Sequence, residues 1–454
     1  MLEVVSLISV LDLVERGVKR AEALGASEAE VYVVREESLS VKGSVRGVES
    51  VESGEAVNAF VRVVVGKRLS VQGGMVSRAE DVDTIVEGAV KVAKLSPEDP
   101  NWVSLPRRLG STPTFDLVDS VVRSLELNYF AQFVKRALEM PKDLDRRAFA
   151  SGAMASATSV AKAVGNSYQA PVYSEQTLFS FGIEVKAVES GFESGFYSYY
   201  TAPTLREFRL EKEVDYATRI AVETLRARRV ETGVYQVLLM PRVFASVLGS
   251  LIVPAVRADM VQKRRSPLAG KLYSHVLSEQ LTIIDDGAVP NMPGSTPFDD
   301  EGVATKRKTV FDRGVLRTYL YDTYTANMDN KESTGNAKRS GASNTYPDAT
   351  NVLVLPGTSP LDSIIRDIKR GIVVHGTIGE WLSNPVSGYL NATVTHGFLV
   401  EGGEIKQAVK GVVISGDVYK LLGGDLAALS KEFEASSNYI VPAALLNSVS
   451  VAGE

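Results

Sequence analysis

The sequence predicts an α+β fold, in which one or more N-terminal α+β domains precede a mostly antiparallel, barrel-like C-terminal β domain. Two observations predict this fold. Amphipathic helical stretches and alternating strand-like runs are mixed in the first part of the chain, whereas short strands and turns dominate after Gly233. The length of 454 residues, with 44% apolar and 23% charged residues, suits two or three soluble domains with a sizeable core.

The first predicted domain covers residues 1–104 and begins with an amphipathic helix that ends near Gly25. Apolar residues recur at helical spacing in this helix: Leu11, Val14, Val18 and Ala21. Strand-like runs follow, in which β-branched residues alternate with polar ones and glycines mark the turns. Residues 80–95 return to helical spacing with acids in the first turn, so we expect a second helix there.

A middle region, residues 105–230, is predicted to contain both helices and strands. Residues 115–138 favour one or two helices, and residues 205–229 favour one strong helix with an apolar stripe. The segment 151–169 is rich in Ser and Ala, and its pattern leaves its structure open. Residues 177–203 indicate two strands around a turn of Gly and Ser.

Residues 231–454 are predicted to form a β-rich domain. Gly402 and Gly403 stand between two alternating runs, which is a strong hairpin signal. The spacing of the other short strands favours an antiparallel sheet or a barrel. One helix-like apolar run, residues 241–259, interrupts the strands, and Pro254 should kink or break a regular helix there because proline lacks a backbone N–H.

The composition excludes several classes of function. The formal net charge is −5 and basic tracts are short, so we expect no nucleic-acid partner. Cysteine is absent, which removes disulfides, thiol nucleophiles and thiolate ligands, and which suits a cytoplasmic location. Glu3, Asp12 and Glu15 interrupt the apolar start, so neither a signal peptide nor a membrane span is expected.

Histidine is too scarce for an ordinary zinc site. A catalytic zinc needs about three His, Cys, Asp or Glu ligands. The chain has three histidines, and none is paired with another at helical i, i+4 spacing. These are His275, His375 and His396. For each of them alone a structural or surface role is favoured over a ligand role.

Asp299, Asp300 and Glu301 form the sharpest cluster of polar residues. Adjacent acids can share a proton or hold a hard cation. Alternatively, they belong to a turn in which they cap backbone N–H groups or pair with Lys306 and Arg307. Consecutive residues of a strand point to opposite faces, so three acids in a row rarely converge on one ion. The turn is therefore the favoured interpretation.

Two loops are further candidates. Residues 333–339 (STGNAKR) contain Thr334, Gly335 and Asn336, whose backbone donors could bind a carboxylate or a peptide main chain, or could belong to an ordinary polar loop. Asn384 precedes Pro385 and favours a fixed turn whatever its role.

Several of these segments together resemble one known family. IIDDGAVPNMPGSTPFDDEGVATKR (residues 283–307) and TGNAKR (334–339) resemble segments of the TldD/PmbA family of zinc proteases. In the metal-bearing subunit of that family an HExxxH helix stands just upstream, and a cysteine lies near the C-terminus. The positions here that match the HExxxH ligands are Gly249, Ser250 and Pro254, and residues 434–443 (EASSNYIVPA) stand in the place of the cysteine. The chain thus resembles the PmbA/TldE-like subunit, which lacks HExxxH.

The resemblance implies a function for the whole chain. In that family such a subunit pairs with a TldD-like metal-bearing chain, and the heterodimer cleaves unfolded peptides. We therefore expect no metal in this chain, zinc in a partner subunit, a heterodimer or a self-dimer, and a contribution to the peptide-binding chamber. The candidate groove residues are Asp299, Asp300, Glu301, Thr334, Gly335, Asn336 and Asn384.

Two alternatives remain open. One is a stand-alone hydrolase with a site built on the acids of residues 299–301, with His275 or His396. The other is a binding or assembly module that is not an enzyme.

Overall fold

The N-terminal part of the protein is built on a six-stranded antiparallel sheet, in a computed structural model that describes residues 9–124 and 126–454. The strands are β1 (Glu28–Ser44), β2 (Gly47–Val65), β3 (Arg68–Met75), β4 (Ala148–Asn166), β5 (Gln169–Glu189) and β6 (Phe192–Ala202). Their order in the sheet is β3-β2-β1-β4-β5-β6. The pairing of β1 with β4 therefore joins two groups of three consecutive strands, β1 to β3 and β4 to β6, into one sheet.

Helices cover one face of this sheet. They are α1 (Val10–Ala23), α2 (Ala79–Leu95), α3 (Ser120–Ser124), α4 (Leu127–Leu144) and α5 (Leu210–Glu223). Helices α1 and α2 share a core with β1 and β2, and α4 and α5 share a second core with β4 to β6. The first helix begins where the Ser9 hydroxyl accepts a hydrogen bond from the Asp12 N–H, an ordinary N-terminal cap.

The opposite face of the sheet carries small hydroxyl side chains. Alanines at alternate positions of β4 are buried against the helices, so the residues between them point to the other side. Four half-buried residues define what we call the hydroxyl-lined sheet face: Ser156, Thr158, Ser180 and Thr201. At its margins Gln176 donates to the Pro293 carbonyl and Tyr199 contacts Ser436, so the C-terminal part borders this face.

The C-terminal part is a β structure that closes into a ring. Its strands are β7 (Gly233–Leu239), β8 (Ile283–Asp285), β9 (Lys308–Asp312), β10 (Val315–Leu316), β11 (Ala337–Lys338), β12 (Tyr346–Pro347), β13 (Val352–Val354), β14 (Arg370–Ile378), β15 (Tyr389–Glu401), β16 (Glu404–Val409), β17 (Val412–Asp417), β18 (Leu426–Ser436) and β19 (Tyr439–Ala452). Strands β7, β14, β15, β17 and β19 form the ring, because β19 pairs with both β17 and β7. Most pairs are antiparallel, and the predicted α+β fold with a barrel-like C-terminal domain is confirmed.

The predicted glycine hairpin is also confirmed. Gly402 and Gly403 connect β15 to β16 with φ angles of 61° and 80°, the left-handed region that such two-residue turns require. The helix predicted over residues 205–229 is shorter, since α5 ends at Glu223, and the open segment 151–169 lies mostly in β4. Residues 115–138 contribute to two helices, α3 and α4, as one of the alternatives predicted.

The C-terminal part contains six further helices, α6 (Pro241–Val247), α7 (Val253–Ala255), α8 (Ala258–Gln262), α9 (Thr323–Met328), α10 (Leu361–Asp367) and α11 (Val418–Leu421). A π-helical turn, Leu248–Ile252, joins α6 to α7. In this turn the Val253 N–H donates to the Leu248 carbonyl five residues back, so the chain widens just before Pro254. The predicted disturbance at Pro254 is therefore a widened turn within a helical run, rather than its end.

The predicted division into residues 1–104, 105–230 and 231–454 stays a prediction. The six-stranded sheet takes strands from both sides of the first boundary. Glu3, part of the argument against a signal peptide, lies outside the described residues. Within residues 9–124 and 126–454, no helix is long and apolar enough to cross a membrane.

Candidate functional site

The helical run of residues 241–255 turns a half-buried face toward strand β19. Gly249, Ser250 and Pro254 are half-buried, and we call them the ligand-free helical face because they match the metal-ligand positions of the resembled family. A Cβ atom on Gly249 would lie 2.7 Å from the hydroxyl oxygen of Tyr439. The tyrosine therefore fills the space into which a side chain at position 249 would project.

Tyr439 and Asp348 supply the polar groups near this face. Burial, followed by the negative charges of Asp348 and Asp285, raises the pKa of Tyr439 well above its ordinary value. Burial also raises the pKa of Asp348, whose Oδ1 accepts a hydrogen bond of 2.9 Å from the Ala349 N–H. The ligand-free helical face is thus bordered by the neutral phenol of Tyr439 and by the carboxyl group of Asp348, one oxygen of which accepts a backbone hydrogen bond.

These residues do not fit a zinc ion. Zinc takes three or four nitrogen, sulfur or carboxylate ligands, and the ligand-free helical face offers none of its own. Among the residues that the structure describes, no group of three or more His, Asp or Glu side chains could hold a metal ion. We therefore assign no metal-dependent step to this chain.

The three histidines lie in different surroundings. His275 is exposed, and its Nε2 lies 4.0 Å from Glu279 Oε1. His375 is buried beside Tyr216, with 3.0 Å between its Nδ1 and the tyrosine hydroxyl, and burial lowers its pKa to about 3. Burial likewise lowers the pKa of His396 to about 4. The two buried rings are therefore neutral at physiological pH.

The acids of residues 299–301 use their oxygens within the fold. Asp299 accepts hydrogen bonds from the backbone N–H groups of Glu301, Val303 and Ala337, at 3.0, 3.0 and 2.9 Å. Asp300 accepts from the Arg339 N–H at 2.9 Å and lies 3.8 Å from the Lys162 ammonium. The predicted capping of backbone N–H groups is confirmed. Hydrogen bonding of this kind fixes a turn.

Glu301 belongs to a buried charge network that links the two parts of the protein. The Arg62 Nη2 atom donates to Glu30 Oε2 at 2.7 Å and to Glu301 Oε1 at 2.8 Å. Glu30 also accepts from the Arg339 Nη2 atom at 2.6 Å. All four side chains are at most 3% exposed. We call Glu30, Arg62, Glu301 and Arg339 the buried charge network.

Arg62 holds the Glu301 carboxylate in the ionised state. Burial by itself raises the pKa of Glu301, but the positive charge of Arg62 and hydrogen bonds from Thr323 bring it below the ordinary value. The predicted pairing of these acids with Lys306 and Arg307 is wrong. Arg307 lies 2.7 Å from Asp286, and Lys306 lies 4.0 Å from Glu332, so both side chains pair with other acids.

Asp322 is a buried acid next to this network. Burial, followed by the negative charge of Glu301, raises the pKa of Asp322 to about 7. Its Oδ1 atom caps helix α9 by accepting the Thr325 N–H at 2.9 Å. Its Oδ2 atom lies 3.3 Å from the Thr345 hydroxyl, which also donates to Glu301. Asp322 is therefore a carboxyl group that changes charge near neutral pH.

The loop of Thr334, Gly335 and Asn336 links separate segments of the C-terminal part through hydrogen bonds. The Thr334 hydroxyl bonds to Asn336 Oδ1 at 2.7 Å, and the Asn336 amide donates to Asp285 Oδ2 and to the Asp348 carbonyl, both at 2.8 Å. Gly335 has a φ of 71°, and a Cβ there would lie 2.4 Å from the Ala304 carbonyl oxygen. Glycine is therefore required at this position by conformation and by space.

Asn384 lies in an exposed turn. Its side-chain oxygen accepts from the Val386 and Ser387 N–H groups at 2.9 and 3.3 Å, as the Asn-Pro pair predicts. Trp381 and Leu382, next to this turn, are 68% and 73% exposed. That any of these seven candidates contacts substrate stays a prediction.

The structure joins the acidic turn to the Thr-Gly-Asn loop, because the Asp300 N–H donates to the Ala337 carbonyl and the Ala337 N–H donates to the Asp299 side chain. Sequence reasoning missed Arg62, Glu30, Asp322 and Tyr439. One signal was available: Arg62 interrupts the apolar run VNAFVRVVV, and a charge inside a buried strand usually has a buried partner.

Comparison with known proteins gives consistent results. Residues 232–453 match the family model described as the PmbA/TldA metallopeptidase C-terminal domain. A metalloprotease of Methanocaldococcus jannaschii is 30% identical over 247 residues, which are 53% of this chain and 54% of that protein. The aligned region thus spans about half the length of that relative. The metalloprotease PmbA homolog of Haemophilus influenzae is 25% identical over 448 residues, 96% of this chain and 94% of that protein.

The fold is shared with a solved structure. The crystal structure of TldE from Thermococcus kodakarensis matches with a TM-score of 0.90 and 24% sequence identity, over 97% of this chain and 100% of that one. The match includes both the six-stranded sheet and the barrel-like C-terminal part, since it covers nearly the whole chain.

Removing Arg62 should destabilise the protein strongly. Arg62→Ala leaves Glu30 and Glu301 buried without their shared cation, and we expect a loss of about 3–5 kcal/mol in the free energy of unfolding. Arg68→Ala is the matched control, because Arg68 lies 3.6 Å from Glu98 in an exposed pair and should cost less than about 1 kcal/mol. Urea denaturation measures both, and equal losses would contradict the role of the network.

Asp322→Asn should change how stability depends on pH. The pKa of Asp322 is raised to about 7 in the folded protein, so the wild type loses stability as pH rises from the unfolded value toward 7. Asparagine can still cap α9 but carries no charge. Its stability relative to the wild type should therefore increase by about 1–3 kcal/mol between pH 5 and pH 8. Asp417→Asn, which changes the exposed cap of α11, should show no such trend in denaturation at the two pH values.

A side chain at position 249 should conflict with Tyr439. Gly249→Ala places a Cβ 2.7 Å from the tyrosine oxygen, and we expect a loss of about 1–3 kcal/mol. In the Tyr439→Phe background the oxygen is gone, and the loss should fall below about 1 kcal/mol because alanine also favours the helix. Thermal denaturation of the four proteins of this cycle measures the coupling, and an unchanged loss would show that the two residues do not meet.

Proposed function

Because this chain belongs through residues 232–453 to the PmbA/TldD family, we propose that it is the subunit without metal in a two-chain metalloprotease that acts on unfolded peptides. Its contribution is one wall of the peptide-binding chamber. A TldD-like partner supplies the zinc, which activates the attacking water in proteases of this type. The location that we propose for the complex is the cytoplasm, in keeping with a chain that has no cysteine.

The main support for this proposal is that the ligand-free helical face is still helical but has no side chains that could bind a metal. Gly249 has no side chain, and Tyr439 fills the adjoining space. A chain that acted alone would need its ligands at this place or at another. The described residues offer no such group elsewhere. A partner subunit that provides the metal ligands accounts for a helix that is retained here without them.

The hydroxyl-lined sheet face suits a wall that holds an extended peptide. Its side chains are short, so a peptide can approach the sheet closely, and each hydroxyl can donate or accept a hydrogen bond. The Ser180 and Thr201 hydroxyls, 3.0 Å apart, lie on the neighbouring strands β5 and β6 at one edge of the sheet. Such a surface contacts the main chain of the peptide and can therefore bind peptides of many sequences.

The proposal is tested by purifying the chain alone and together with an HExxxH-bearing family member from its source organism. Zinc is measured by mass spectrometry, and cleavage is measured on an unfolded protein substrate. We expect zinc and cleavage in the complex, and neither in the isolated chain. Zinc bound to the isolated chain, or failure of the two chains to associate, would overturn the proposal.

A variant of the same complex tests the wall. Ser156→Trp fills the hydroxyl-lined sheet face and should lower cleavage at least tenfold without loss of zinc. Ser124→Trp places the same ring at the exposed end of α3 and should leave cleavage unchanged. Circular dichroism confirms that both variants fold.

A further inference from the structure

A cavity of about 400 Å³ lies between the N-terminal and C-terminal parts, and its lining does not include Gly249, Ser250 or Pro254. Arg62 of β2, Trp102, Asp322, Tyr324 and Thr345 are among its lining residues. Cavities of this size hold small organic ligands. The cavity shares Arg62 with the buried charge network, so its shape is set where the two parts of the protein meet.

One side of the cavity is aromatic. The rings of Trp102 and Tyr324 lie 6.4 Å apart between centroids. Their polar atoms are already used, because Trp102 Nε1 donates to Glu28 at 3.2 Å and the Tyr324 hydroxyl donates to Asp99 at 2.9 Å. The two rings therefore present apolar surface to the cavity, and Leu69 extends this surface.

The cavity lining also includes groups of both hydrogen-bonding types, next to the aromatic rings. Asp322 and Asp99 both line the cavity, and among the described residues neither has a Lys or Arg nitrogen within ion-pair distance. Arg62 is 2% exposed, and its Nε atom has no hydrogen-bond partner within the described part of the chain. Buried donors without a partner are rare in proteins and indicate a missing acceptor.

The three features select one class of ligand. A carboxylate without a cation attracts an ammonium group, and an unpartnered guanidinium N–H needs an oxygen acceptor. The aromatic wall takes an apolar side chain. From this arrangement we infer that the cavity binds an α-amino acid unit with an apolar side chain, either as a free amino acid or as the first residue of a peptide. Its ammonium faces Asp322, and its carbonyl or carboxylate oxygen faces Arg62.

Binding should depend on pH through Asp322. The charged groups that face this carboxyl are Glu301 and Arg62, and Asp99, Asp259 and Lys263 line the same cavity. The pKa of Asp322 is raised to about 7, so below that pH its carboxyl is mostly neutral and holds an ammonium less well. Affinity should therefore rise several-fold between pH 6 and pH 8.

Tryptophan fluorescence can observe the cavity directly. The chain has two tryptophans, Trp102 in the cavity wall and the exposed Trp381. In a Trp381→Phe variant of the full chain, emission reports on Trp102 alone. The probes are L-phenylalanine, L-phenylalanyl-L-alanine and its N-acetylated form, which lacks the ammonium.

The inference predicts saturable binding of one or both free-amine probes and at least tenfold weaker binding of the acetylated peptide. If phenylalanine binds as tightly as the dipeptide, the ligand is a free amino acid; if only the dipeptide binds, it is a peptide end. Asp322→Asn should weaken binding at least tenfold and remove its pH dependence, whereas the matched cap variant Asp417→Asn should not change it.

The absence of binding at 10 mM of every probe would overturn the inference. So would binding that acetylation and Asp322→Asn leave unchanged. The assay uses the isolated chain and involves no cleavage, so its outcome is independent of the proposed function.

Discussion

The rest of the structure depends on the buried charge network of Glu30, Arg62, Glu301 and Arg339. Two of its members, Glu30 and Arg62, belong to neighbouring strands of the N-terminal sheet, and the other two come from loops of the C-terminal part. Burying a charge is costly, so each of these residues is stabilised by its oppositely charged partners. The network therefore links the two parts by charged hydrogen bonds at the place where they meet.

The cavity and the hydroxyl-lined sheet face both depend on how the N-terminal and C-terminal parts are arranged. The cavity takes walls from both parts, and the hydroxyl-lined sheet face is bordered by the C-terminal part at Gln176 and Tyr199. The segments that first look catalytic, the acids of residues 299–301 and the Thr-Gly-Asn loop, supply hydrogen bonds that hold these surfaces in position. Motifs that mark a family can thus be requirements of its fold.

Much of the fold follows from local patterns in the sequence. The helix stripes of α1 and α2 and the glycine hairpin after β15 are set by residues a few positions apart, so periodicity and turn chemistry predict them. The sequence does not decide between helix and strand for β4, because alanine and serine occur in both, and its pairing with β1 and β5 makes it a strand. The candidate site is harder to predict from the sequence. Arg62 contacts Glu301, and Gly249 contacts Tyr439, although these residues are far apart in the chain and no local pattern links them.

Strand β19 also has a consequence for synthesis of the protein. It is the last strand of the chain, and it pairs with β7, β13, β17 and β18, with Val451 opposite Gly233. The N-terminal sheet is complete at Ala202 and can form while translation continues, because domains fold as the chain emerges. The ring cannot close until the ribosome has made β19. Until then the edges of β7 and β17 that pair with β19 have no partner strand, and their apolar residues stay exposed in the nascent chain.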